Sequence, residues 1–150
     1  MTDVNLNPNV MQQIGLAARG FTRIHEGRLR ALGFAVGQIP VLAALKKGKA
    51  LPQAELARIA RVEQPSMAQL LARMERDGVI QRIPDPADKR SRLISLTATA
   101  DQNMGPARAV LLSGTAQALE GFSEEEIASF VSMLQRLNAN LDRAYGQDDG

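Results

Sequence analysis

Apolar residues recur at helical spacing over most of this chain and switch to alternation in one short stretch. Val10, Ile14, Ala17, Phe21, Ile24 and Leu29 fall every three to five residues, as one face of an amphipathic helix would. After a polar tail over residues 1–7, that helix is expected to open on Asn7 as N-cap with Pro8 at its first position. It should run to about Leu32 and stop at Gly33. Gln38–Lys46 predicts a second helix, with Pro40 tolerated only in its first turn. Gln53–Ala60 predicts a third, with Leu56, Ile59 and Ala60 facing inward. Pro52 can begin it but offers no side-chain cap, and Val62 is expected to fill the turn that follows. Pro65 then opens a fourth helix. Its apolar stripe is Met67, Leu70, Leu71 and Met74, its other faces carry Ser66, Gln69, Arg73 and Arg76, and Gly78 ends it.

The period then falls to two. Val79–Ile83 and Arg92–Leu96 alternate apolar and polar residues and predict two strands, joined by the turn-forming PDPADKRS. Thr97 suits the N-cap of a fifth helix over Ala98–Leu119, in which Gly105-Pro106 predicts a kink or break. Gly121 ends it. Ser123 with Glu126 three residues later is a capping box for a last helix whose seam is Ile127, Phe130, Val131, Leu134, Leu137 and Leu141. The residues after Tyr145 are expected to be disordered.

This order of elements predicts a mainly α fold with a small β-wing. A winged helix-turn-helix over about 36–97 lies between long helices over about 8–32 and 98–145, all in one domain of 1–150. The seams of the long helices are too extensive for the small winged unit to cover. They are expected to pack on a second copy of the chain as a homodimer, the alternative being a compact monomeric bundle.

Composition narrows the chemistry. Aromatic residues make up 3% and Trp is absent, so Leu, Ala, Ile, Val and Met must build the core, which favours helix on helix. The absence of Cys excludes a disulfide scaffold, a thiolate zinc site and a thiol redox switch. No stretch reaches the roughly 18 apolar residues of a membrane span, and no leader pattern opens the chain; a cytoplasmic protein with no membrane partner is expected. Charge is unevenly spread. Lys46–Arg92 carries eleven Lys or Arg against six Asp or Glu, a net of +5, while the remainder carries seven against ten, a net of −3. A positive middle between acidic ends suits a polyanion.

ELARIARVEQPSMAQLLARMERDGVIQR, followed by DPADKRS and LISLT, resembles the MarR family of winged-helix transcriptional regulators. The most specific features are Glu75-Arg-Asp-Gly78 followed by Val79-Ile80 and Arg82, the Asp88-Lys-Arg90 wing, and Leu96-Thr97. The likeness is strongest over Leu51–Thr97. It implies a homodimer in which Gln64–Arg76 is the recognition helix in a major groove. Arg90 would be the minor-groove side chain, with Asp88 helping to hold it. The resemblance also implies repression, relieved in many relatives by a small aromatic or phenolic effector bound between the dimerisation helices and the winged domain. Here Pro52 stands where Ser or Thr is usual, Gln69 where Arg is usual, and Ala100 where Gly is usual.

The residues themselves support double-stranded DNA as partner. Gln64, Ser66 and Gln69 lie near the start of the fourth helix, where polar side chains reach base edges. Helix capping is the plainer alternative for Gln64 and Ser66, and the two roles can coexist. Arg73, two turns on, can meet a phosphate or a guanine, and Pro65 and Met67 complete the DNA-binding set on this helix. Arg76 at the helix end suits the macrodipole better. On the hairpin, Arg90 fits the negative potential of a narrow minor groove, and Lys89 and Arg92 add phosphate contacts. An exposed ion pair of Asp88 with Arg90 or Arg92 is the plainer alternative, worth roughly 0–1 kcal/mol. Lys46, Lys47 and Lys49 form a basic turn that suits either backbone phosphate or solvent. His25, the single histidine, and Phe21 four residues before it are the effector-pocket candidates, against ordinary packing. There is no Gly-rich phosphate loop, HExxH or carboxylate cluster outside the capping box, so neither enzyme activity nor a metal or other cofactor is expected. A winged-helix protein–protein adaptor is the rival. It would show exposed apolar residues where this chain has Arg and Lys.

Overall fold

The computed structural model of the chain describes residues 9–148. The polar tail over residues 1–7, Asn7 and Pro8 lie outside the described residues, as do residues 149–150 of the C-terminal tail. The elements are α1 (Asn9–Ala31), a 3-10 turn (Val36–Gln38), α2 (Ile39–Leu45), α3 (Gln53–Ala60), α4 (Gln64–Arg76), β1 (Ile80–Asp85), β2 (Asp88–Leu96), α5 (Ala98–Ala118) and α6 (Glu124–Asp148). The fold is the expected winged helix-turn-helix with long flanking helices. The chain divides into two compact units between Gly114 and Thr115.

In the first unit, two helices stop by the same device. At the end of α1, Gly33 takes φ +86 and the Phe34 amide donates to the Leu29 carbonyl at 2.9 Å. At the end of α4, Gly78 takes φ +75 and the Val79 amide donates to the Met74 carbonyl, also at 2.9 Å. Glycine alone enters this left-handed region freely, and the residue beyond it is turned back into the core. Phe34, Leu29, Val79 and Met74 are all buried. They share one cluster with Val41, Leu42 and Leu45 of α2, Leu56 and Ala57 of α3, Met67 and Leu71 of α4, Ile80 and Ile94 of the hairpin, and Ala100 and Ala107 of α5.

The strands are longer than the alternation indicates. β1 and β2 pair antiparallel from Ile80 opposite Leu96 to Pro84 opposite Arg92, and an irregularity then carries the pairing to Asp85 opposite Asp88. Only Pro86 and Ala87 remain as the turn. Leu51 forms an isolated antiparallel bridge with Ile94, its amide donating at 3.0 Å and its carbonyl accepting at 2.8 Å.

Other expectations need correction. In α3 Leu56 is buried as expected and Ala60 packs half-buried against the core, but the second buried residue is Ala57, whereas Ile59 is exposed, as is Val62 in the turn. The turn is instead made by Arg61 in the left-handed region at φ 54. No break occurs at Gly105-Pro106, and α5 runs helical from Ala98 to Ala118. Gly105 has no Cβ to meet the proline ring. Gln102, whose carbonyl loses its usual donor, is exposed like Pro106, where water can replace the bond. α2 is shorter than expected because residues 36–38 form a 3-10 turn, in which the Gln38 Oε1 accepts the Ala35 amide at 3.0 Å.

Caps elsewhere match the sequence. Thr97 Oγ1 accepts the Ala100 amide at 3.2 Å and donates to the Gly78 carbonyl at 2.6 Å, tying the start of α5 to the end of α4. In the second unit, Ser123 Oγ accepts from the Glu126 amide at 3.1 Å and Glu126 Oε1 accepts from the Ser123 amide at 2.9 Å. α6 is helical to Asp148, past the expected end at Tyr145. Over residues 124–146 of α6 none is buried, and Phe130, Val131, Met133, Leu141 and Tyr145 are exposed. α1 likewise exposes Val10, Met11, Ile14, Leu16, Phe21 and Ile24. No single helix among the described residues is long and apolar enough to cross a membrane.

His25 is 4% exposed and lies against Gly114 of α5. A Cβ at Gly114 would fall 2.0 Å from His25 Nε2, inside any tolerable contact. Gly114→Ala should therefore destabilise the protein by about 1–3 kcal/mol, the cost of overpacking. Thermal unfolding should show the loss, and adding His25→Ala, which vacates the space, should recover part of it.

Candidate nucleic-acid interface

The burial of one stripe of α4 decides what the other side presents. Met67, Leu71 and Met74 are fully buried, which leaves Gln64, Pro65, Ser66, Gln69, Arg73 and Arg76 on the exposed face. Met67 is thereby corrected. It is 0% exposed and belongs to the core, so its side chain has no route to a groove. Arg73 and Arg76 both fall in the last turn, where a cation meets the negative end of the helix.

Neither α3 nor α4 carries a side-chain cap. Their N-cap residues are Pro52 and Glu63, both in extended conformation, and Pro65 occupies the first turn of α4. The capping role expected as an alternative for Gln64 and Ser66 is therefore not the one these residues play: both are inside the helix. The Gln64 side chain has a different partner. Gln53 Nε2, from the first residue of α3, donates to Gln64 Oε1 at 3.2 Å and reaches the Gln64 carbonyl at 3.4 Å. Sequence reasoning missed Gln53. The available signal was the presence of two glutamines, each opening one helix of the helix-turn-helix.

Also on α3, Arg58 Nε donates to Glu55 Oε2 at 3.1 Å. This bond to the guanidinium holds the Glu55 carboxyl below its ordinary range and raises Arg58 above its own. Arg82 Nε on β1 lies 3.5 Å from Glu75 Oε1, linking the last turn of α4 to the base of the wing.

The wing places Lys89, Arg90 and Arg92 in solvent on β2. Asp88 does hold Arg90, but through the backbone. Its Oδ1 accepts the Arg90 amide at 2.9 Å, and Asp85 Oδ1 accepts the Ala87 amide at the same distance. Aspartate commonly captures the amide two residues on in this way. Among the described residues, no ion pair joins Asp88 to Arg90 or Arg92, so the plainer alternative is not the geometry found. The lysine turn lies elsewhere. Since Leu51 pairs antiparallel with Ile94, the chain enters from the Leu96 end of β2, opposite the wing tip. Lys46, Lys47 and Lys49 are exposed there, as an ordinary solvated turn would be.

Phe21 and His25 stack in parallel, with ring centroids 6.0 Å apart and 2° between planes. His25 Nε2 is buried without a hydrogen-bond partner. Phe21 is exposed, so of the two effector-pocket candidates only Phe21 meets solvent.

The chain matches the MarR family model over residues 32–91. It is 30% identical to the transcriptional regulator PA3341, whose solved structure superposes with a TM-score of 0.74 over 89% of this chain and 98% of that one. It is 25% identical over 135 residues to the uncharacterized HTH-type transcriptional regulator YybA of Bacillus subtilis (strain 168), covering 90% of each chain. A MarR family transcriptional regulator from Listeria monocytogenes, solved in complex with a 26mer DNA, is 23% identical with a TM-score of 0.78 over 87% of both chains.

The Asp88 bond gives a local test. Asp88→Ala should loosen the wing tip by about 0.5–1.5 kcal/mol, the usual worth of one hydrogen bond. Hydrogen exchange at the Arg90 amide should quicken accordingly, and less so in Asp88→Asn, which keeps an acceptor oxygen.

Proposed function

The chain belongs to the MarR family of winged-helix transcriptional regulators, and from that premise we propose that it is a homodimeric repressor binding double-stranded DNA at a palindromic operator. The observation that carries this reading is the pairing of a polar and basic α4 face with an exposed wing whose Arg90 is held by Asp88 through its backbone amide, with no ion pair between the two among the described residues. Gln64, Ser66 and Gln69 read base edges in the major groove, with Pro65 at the same helix start, and Arg73 grips phosphate. Arg90 enters the flanking minor groove, and Lys89 and Arg92 hold the backbone beside it. Asp88 preorganises the tip without neutralising it. The similar fold of a regulator from Listeria monocytogenes that was solved with a 26mer DNA supports DNA as the partner.

The exposed apolar faces of α1 and α6 support a second copy of the chain as their cover, since apolar surface on this scale is otherwise left in water. Two reading heads then match a two-fold operator. A small aromatic or phenolic effector acts by binding one spacing of the heads more tightly than another, for only differential affinity shifts such an equilibrium. Phe21 is its proposed contact, with His25 behind it. A cytoplasmic location fits this role.

Selection of bound duplexes from a random pool tests the reading. A palindrome with half-sites about one helical turn apart is expected. Affinity for the selected duplex should fall steeply with salt, with a log–log slope of about −0.9 per phosphate neutralised. Arg90→Ala should weaken binding chiefly through A·T-rich flanks. No enrichment together with a shallow slope would favour the adaptor.

Oligomeric state supplies a separate check. Sedimentation equilibrium should give twice the chain mass of 16.2 kDa at micromolar concentration. A monomer there would refute the homodimer while leaving the DNA-reading face untouched.

A further inference from the structure

We infer that Gln53 is a positioning residue that sets which way the Gln64 carboxamide faces, and so which base edge the start of α4 reads. The inference rests on the DNA-reading role proposed for α4. An exposed glutamine ordinarily turns its oxygen and its amino group outward with nearly equal ease, because the two ends are alike in size and shape. Such a side chain discriminates poorly until something breaks the symmetry. Here the backbone does so. The Gln64 carbonyl can only accept, and it lies 3.4 Å from Gln53 Nε2, so Gln53 must present its amino end to α4. The same nitrogen lies 3.2 Å from the Gln64 side chain, which must then offer Oε1 in return. One main-chain oxygen therefore orients two side-chain amides in sequence.

The outcome for recognition is specific. With Oε1 turned toward Gln53, the Gln64 amino group points away from α3, and the second lone pair of Oε1 stays free. A donor beside an acceptor is the pattern that matches N7 and the N6 amino group of adenine in the major groove. Gln53 also removes rotamer freedom that Gln64 would otherwise lose on binding, which favours the bound geometry in advance. It makes no base contact of its own in this account.

A double-mutant cycle on the selected operator tests this. Dissociation constants are measured for the full chain, Gln53→Ala, Gln64→Ala and the double variant, on the preferred operator and on duplexes altered at each base step of the half-site. Gln64→Ala should abolish discrimination at one step. Gln53→Ala should lower discrimination at that same step by about tenfold, near the lower end of what a bidentate base contact supplies. In the Gln64→Ala background it should have no further effect there. Gln53→Glu keeps the shape but loses the donor nitrogen and should lose discrimination at that step as Gln53→Ala does, beside a uniform weakening on all duplexes from its added charge, with unfolding midpoints confirming that each variant folds. Additive effects, a Gln53→Ala loss spread equally over all duplexes, or full discrimination in Gln53→Glu would each overturn the positioning role. If the unaltered protein discriminates at no step, the DNA-reading function itself fails, which is a separate result.

Discussion

The burial of Met67, Leu71 and Met74 is the constraint on which the reading surface depends. Each side chain contributes about 1.5–3 kcal/mol by leaving water. A shift of α4 by one residue would rotate it about 100° and bring that stripe into solvent. The helix therefore has one rotational setting, and the polar face follows from it. The Val79 amide bonded to the Met74 carbonyl and the Thr97 hydroxyl bonded to the Gly78 carbonyl then fix where the helix ends and the wing begins. The Glu75–Arg82 pair adds a weaker and solvent-screened tie between the same two elements.

Much of this was legible in the chain because it is local. The glycine stops at Gly33 and Gly78, the Thr97 cap and the Ser123–Glu126 box depend on residues a few positions apart. The apolar period likewise located α1 and α4. What escaped depended on partners farther away or on competing local rules. Asp85 and Asp88 read correctly as turn formers, each accepting the amide two residues on, but the strands pair almost to the tip around them, which the alternation did not show. Pro106 read as a breaker, but a preceding glycine and an exposed carbonyl leave it little to break. Met67 counted both as core and as a DNA contact, and its burial admits only the first.

Gln53 shows why site residues are harder to read than elements. Its only mark in the sequence is that it opens one helix of the motif as Gln64 opens the other. Its bond to Gln64 forms only when the turn at Arg61 brings the first residue of α3 beside the first residue of α4. The same holds for His25 and Gly114, which are far apart in sequence. One is the single histidine, the other an unremarked glycine in a helix. Their contact is visible only once α1 and α5 are packed.

The two acidic residues at the wing also bear on its electrostatics. A carboxylate paired with the Arg90 guanidinium would shield the charge that a narrow minor groove attracts. Directed at the backbone amide, the Asp88 carboxylate stiffens the tip, and among the described residues no ion pair ties it to the Arg90 guanidinium. The negative charge is still present nearby and weakens the local field, but no donor is consumed. The arrangement exchanges a little long-range attraction for a fixed starting geometry. Such a geometry would suit the minor-groove entry proposed for Arg90, because a tip already held in place has less freedom to lose on binding.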